Sequence, residues 1–259
     1  MFGMSKRYYW IAGFAVLCLA AALVWPAMPQ PQSYHHFADQ RAMFGVANFL
    51  DVASNVGFLI AGVAGLVVTM SIGTFEFGVE RLPYAIFFLG VLLTAAGSSY
   101  YHVSPDNERL FWDRLPMTIA FMSLIAAQVV DRISVKAGMV LLFPMLALGA
   151  SSVIYWLATE RAGAGNVMPY GILQAWSVVM LLILAVLEPS RYTRGNDILW
   201  VFAWYVIAKV LEFFDPQILA LGHLAGGHAL KHLAAAVAGI VVCWMLMKRE
   251  LLQAAPKAT

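Results

Sequence analysis

Three histidines, a carboxylate and a hydroxyl carry the chemistry open to this chain. His228 and His232 stand four residues apart in HALKH, Ser98 and His102 four apart in GSSYYH, and Asp113 follows His102 by eleven in FWDRLP. Residues four apart on an α-helix stack on the same side, so each pair can aim two side chains at one point. Three imidazoles beside a carboxylate and a hydroxyl match what a catalytic Zn²⁺ needs: three protein ligands, an open position for water, and groups that orient ligands and move protons. Either histidine motif alone fits satisfied polar packing as well. The inference rests on their conjunction.

The elements that must position these groups are set by composition. Of 259 residues, 62% are hydrophobic and only 12% charged, far outside the range of ordinary globular proteins, so an integral membrane protein is expected. Apolar runs long enough to cross about 30 Å of hydrocarbon fall at 9–28, 48–71, 82–103, 114–131, 137–158, 168–187, 198–214 and 222–247. These runs are long and continuous, unlike the alternating segments of about ten residues in a membrane β-barrel. The expected fold class is therefore all-α, a polytopic transmembrane helix bundle. The first run, behind Lys6 and Arg7, is compatible with a signal peptide, but it is long for one and PAMPQPQ offers no small-x-small cleavage site; a retained helix is expected. The chain then divides into an N-terminal helix and outer loop (1–37), a membrane domain (38–250) and a short tail (251–259).

Counting Lys and Arg between the runs gives the orientation. Lys6, Arg7, Arg81, Arg132, Lys136, Arg191, Arg194, Lys248, Arg249 and Lys257 fall on one side, against Arg41, Arg109, Arg114 and Arg161 on the other. Both termini are expected in the cytoplasm, and the net charge of +2 reads as a topology signal, with no nucleic-acid partner. Cys18 and Cys243 lie within runs, so no disulfide is expected. In this topology Ser98, His102, Asp113, His228 and His232 come from three helices to one layer near the outer face.

Other ionisable groups in the runs have ordinary explanations. Lys209 and Glu212 are one turn apart and can pair, and Asp215 precedes Pro216 at a helix end, so a transporter's charge path is not required. Lys231 is expected to turn away from the histidines toward Glu212 or Asp215, with recognition of a headgroup as the alternative. Asn48, Asp51 and Asn55 share one helical stripe suited to interhelical hydrogen bonds, and Gly57, Ala61 and Gly65 form a small-residue packing face. His223, five residues before His228, shares its face poorly and is expected at the rim. Six histidines are too few for a di-iron desaturase, and HExxH is absent.

GSSYYH followed by FWDRLP and a late HALKH, with ADQRAMFGVANFLDVASNVGFL and its Ser54-Asn55 pair ahead of the second run, resembles the alkaline ceramidase family. That family belongs to a wider superfamily that includes the progestin and adiponectin receptors. The resemblance covers residues 38 to 247 and implies a seven-helix core with the first run as an addition. It implies that His102, His228 and His232 hold one Zn²⁺ per chain, with Ser98 and Asp113 completing the site. Two departures stand out. Leu230 and Lys231 replace the aromatic residues common between the last two histidines, and Asn48 stands where members with a Ca²⁺ site have an acidic residue. With Asp39 the only acidic residue nearby, the supply of donors for Ca²⁺ is thin.

The expected function is a zinc-dependent hydrolase of a ceramide-like lipid amide drawn from the bilayer, releasing a fatty acid and a long-chain amine. Asp113 would move the proton and Ser98 would donate to the oxyanion. The competing expectation is a seven-helix lipid sensor that keeps zinc for architecture; a fourth protein ligand would favour it.

Overall fold

The computed structural model describes residues 13, 14, 16–18, 20, 21, 24–71, 73 and 75–252. The span expected at 9–28 lies largely outside these described residues. Within them the protein is all-α and holds nine α-helices: α1 (Phe49–Ala53), α2 (Val56–Ser71), α3 (Arg81–Val103), α4 (Asn107–Arg132), α5 (Val135–Arg161), α6 (Met168–Leu187), α7 (Ile198–Phe213), α8 (Asp215–Gly222) and α9 (Gly227–Lys248). Taking α1 and α2 as one segment, six of these are long and apolar enough to cross a membrane, which makes this a multi-pass integral membrane protein.

Several boundaries differ from the hydropathy reading. The run at 48–71 breaks at Ser54-Asn55, where short polar side chains bond to the backbone: Ser54 Oγ donates to the Asp51 carbonyl at 3.0 Å, and Asn55 Nδ2 to the same oxygen at 2.9 Å. Asn48 sits just outside α1 at φ 47°, so Asn48, Asp51 and Asn55 do not form one continuous helical stripe, although all three are buried. The run at 114–131 begins seven residues earlier, at Asn107, because Asp106 caps the helix by accepting from the Arg109 N–H at 2.7 Å. Asp113 thus lies about two turns inside α4 instead of opening it. The run at 198–214 becomes α7, whose 16 residues extend about 24 Å. It ends at Phe213, with Phe214 as its cap, since Pro216 has no N–H to bond the Glu212 carbonyl four residues earlier and starts the next helix instead.

Packing closes a ring in the order α2, α3, α4, α6, α7, α9 and back to α2, with α5 outside against α4 and α6. Two glycines permit the approaches that matter to the site. A Cβ on Gly97 would lie 2.0 Å from the Trp112 carbonyl oxygen, so α3 touches α4 beside Ser98 and Asp113. A Cβ on Gly227 would lie 2.0 Å from the Leu211 carbonyl oxygen, so the start of α9 presses on α7 beside His228.

At the opposite end of the ring, Arg249 ties the end of α9 to α3 and α4. Its Nη1 donates to Asp131 Oδ2 at 2.7 Å, Tyr84 donates its hydroxyl to the same oxygen at 2.6 Å, and the Phe75, Tyr84 and Tyr192 rings surround the guanidinium at 4.6, 5.1 and 4.0 Å. A buried ion pair keeps its geometry only when its remaining polar atoms and its surroundings support it. Here the rings supply the surroundings, while Asp131 Oδ1, Arg249 Nε and Arg249 Nη2 have no partner; α9 is held at its far end while its first turns carry the histidines.

Candidate metal centre

His102 comes from the last turn of α3, and His228 and His232 from the first two turns of α9. The structure brings the three together: one candidate ligand atom from each lies within 4.8 Å of the others, and the ring centroids are 4.8, 4.9 and 5.0 Å apart. All three are buried, at 0%, 6% and 4% exposure. Both ring nitrogens of His102 and Nε2 of His228 lack any hydrogen-bond partner. Leaving a buried polar atom unsatisfied costs about 1–3 kcal/mol, and clustering three such rings adds to that cost. A metal ion would remove it, and three imidazole nitrogens form a donor set that suits zinc. The histidines therefore fit a metal.

Neighbouring groups orient the ligands. Ser54 Oγ lies 2.8 Å from His232 Nδ1 and 3.0 Å from the Asp51 carbonyl. A hydroxyl has one proton, and a carbonyl can only accept, so Ser54 donates to Asp51 and accepts from Nδ1–H of His232. That selects the tautomer whose Nε2 lone pair is free for a ligand. Asp215 clamps the start of α9: its Oδ1 accepts from the His228 N–H at 2.9 Å and its Oδ2 from the Ala38 N–H at 3.0 Å. Asn48 Nδ2 donates to the His102 carbonyl at 2.8 Å. Phe37 covers the group from the segment ahead of α1, with its ring 4.6 Å from that of His102 and 4.5 Å from that of His228.

That segment is fastened by Arg41. Its Nε and Nη2 donate to the two carboxylate oxygens of Asp39 at 2.7 and 2.6 Å, and Nη1 and Nη2 reach the His223 and Leu224 carbonyls at 2.8 and 2.9 Å. The guanidinium's hydrogen bonds hold the Asp39 carboxyl below the usual carboxylate range.

Ser98 and Asp113 line the same cavity as His232, a space of about 460 Å³ inside the helix ring with an apolar wall that includes Val91, Phe121 and Leu181. Ser98 is 1% exposed and its hydroxyl lies against the Asp113 carboxylate. His228 faces a second recess of about 550 Å³, lined also by His36, Phe37 and Asp215. Lys231 behaves as its sequence context implies: its Nζ pairs with Glu212 Oε1 at 2.5 Å, and Lys209 binds the other oxygen. His223 stays outside the group, exposed at φ 54° where α8 ends.

Asp51 is fully buried with neither carboxylate oxygen partnered. The positioning roles of Ser54, Asp215 and Phe37 were not readable from spacing. The Ser54-Asn55 motif by itself carries nothing that points to His232.

Fold and site together define a multi-pass helical membrane protein with a buried three-histidine group able to hold a metal ion. No protein-family model matches the chain, and no curated protein matches it.

Proposed function

We propose that the chain is a zinc-dependent intramembrane amidohydrolase that cleaves a ceramide-like lipid amide to a fatty acid and a long-chain amine, as its resemblance to the alkaline ceramidases implies. The observation that carries the reading is the convergence of His102, His228 and His232, with both ring nitrogens of His102 and Nε2 of His228 unpartnered, where His232 reaches the wall of an apolar cavity that also holds Ser98 and Asp113. Among the described residues no fourth histidine, cysteine or carboxylate joins the group, which favours an open coordination position over a closed structural site. When bound, zinc supplies a Lewis acid that activates water near neutral pH and polarises a carbonyl. Asp113 takes the proton of the attacking water and returns it to the departing nitrogen, while the Ser98 hydroxyl donates to the developing oxyanion. The helix-ring cavity receives the acyl chain, and water enters by the separate recess at His228. The Lys and Arg excess at the end opposite the site supports a topology with both termini in the cytoplasm and the site toward the outer face.

Zinc near one per chain in the purified protein, lost in His228→Ala, is the expected metal analysis. Fatty-acid release from a lipid amide in liposomes should vanish in His102→Ala and in Asp113→Asn. Turnover unchanged in these variants removes the proposal, and zinc without any turnover points to the sensor.

A further inference from the structure

We infer that Arg114 is a binding residue for a negatively charged group on the lipid, so that the natural substrate is an anionic lipid amide, bearing a carboxylate or a phosphate, in place of a neutral one. The inference rests on the hydrolase reading for the word substrate, and on the cavity alone for the word anionic.

Arg114 follows Asp113 on α4 and lines the same cavity. Only 5% of it is exposed. Its Nη2 donates to Gln30 Oε1 at 2.7 Å, and its guanidinium faces the rings of Trp156, Tyr170 and Tyr34 at 4.4, 4.7 and 5.4 Å. Nη1 is buried with no partner, and no carboxylate forms an ion pair with Arg114 among the described residues. Burying a charge is costly unless it is paired and hydrogen-bonded. The three rings offset part of the cost and hold the planar group in one orientation. They leave Nη1 without a partner.

The contrast with Arg249 is informative. That guanidinium also sits among three rings, but it has Asp131 as counter-ion. Arg114 has the cage without the anion, and it faces the cavity. Among the remaining charges on the wall, Asp113 acts on Arg114 electrostatically but forms no ion pair with it. Three cations line it, Arg114, Lys209 and Lys231, against two carboxylates, Asp113 and Glu212. Both lysines are bound to Glu212, and Asp113 is needed as a proton carrier. An arginine fork is the side chain best matched to a planar or tetrahedral oxyanion, which supplies the two acceptors that a neutral alcohol lacks.

Position assigns the anion to one end of the lipid. Arg114 lies among Gln30 and Tyr34 of the outer loop, whereas the far end of the cavity is closed by Leu181 and Ile198. The chain's methyl end goes toward those apolar residues. The charged group belongs at the mouth, on the amine side of the amide.

The test uses the full-length protein in a neutral detergent. Equilibrium binding of N-palmitoylglycine, ceramide 1-phosphate and neutral N-palmitoylethanolamine is measured on Asp113→Asn protein, which is expected to bind without turnover. At least one anionic lipid should bind about 10- to 100-fold more tightly than the neutral lipid, the worth of one charge-assisted hydrogen bond. Which of the two is preferred separates carboxylate from phosphate. Arg114→Gln in the same background should abolish the preference, and Arg114→Lys should keep part of it. On active protein the preference should appear in KM more than in kcat. Equal or tighter binding of the neutral lipid overturns the inference, and so does a preference that survives in Arg114→Gln. If Arg114→Gln does not fold, the parent's preference and Arg114→Lys decide. An anionic preference in a protein that hydrolyses no lipid amide would keep this inference while removing the hydrolase.

Discussion

Ser54→Ala tests the orientation argument most directly, because Ser54 touches the metal group through a single atom. Its Oγ accepts from His232 Nδ1–H at 2.8 Å while donating to the Asp51 carbonyl at 3.0 Å. Removing the hydroxyl frees the His232 ring to rotate or to adopt the other tautomer, and it removes an acceptor that makes Nε2 more basic. The Asp51 carbonyl does not become an orphan, since Asn55 Nδ2 still donates to it at 2.9 Å. The loss is thus confined to the histidine. Changes to such outer groups weaken metal binding by about 10- to 100-fold, or about 1.4–2.8 kcal/mol. Competition against a chelator of known affinity reads this directly on protein in detergent micelles. The double variant Ser54→Ala with His232→Gln should bind no more weakly than His232→Gln alone, because the hydroxyl acts only through that ring. Parental zinc affinity in Ser54→Ala, or full additivity in the double variant, would refute the tautomer assignment and with it the role of Ser54.

Two further outcomes concern the frame around the site. Asp215→Asn keeps one accepting oxygen, so either the His228 N–H or the Ala38 N–H loses its partner; at about 1–3 kcal/mol, and about 2–4 °C per kcal/mol in a chain of this size, the midpoint of thermal unfolding should fall by several degrees. An unchanged midpoint would show that the clamp does not hold the start of α9. The Asp39–Arg41 contact predicts acid sensitivity of the outer loop. Because Arg41 holds the Asp39 carboxyl below its ordinary value of about 4, the contact is complete above that pH and is lost as pH falls through the lower, folded-state value. Limited proteolysis of the outer loop and the turn at 223–226 should accelerate below about pH 4 in the parent and be fast at all pH values in Arg41→Met; a pH-independent rate in the parent would contradict the assignment.

Much of this protein was legible before folding. A hydrocarbon solvent leaves the backbone no hydrogen-bond partner except its own, so continuous apolar runs can only be helices, and the histidine spacings already placed pairs of side chains on common faces. A carboxylate partner for Lys231 was readable only as Glu212 or Asp215, and the fold selects Glu212. Helix limits were less so. Hydropathy cannot register Asp106 as a cap or Ser54-Asn55 as a break, since both act through single hydrogen bonds to the backbone. What only the tertiary structure decided is who stands behind each ligand: Ser54 behind His232, Asp215 at His228, Asn48 at the His102 carbonyl and Phe37 over the rings. Ser54 stands 178 residues from His232 in the chain, and its role depends on a distance of about one hydrogen bond. Composition fixes the solvent and spacing fixes the face. Contact between faces is set by helix packing, which no single segment encodes.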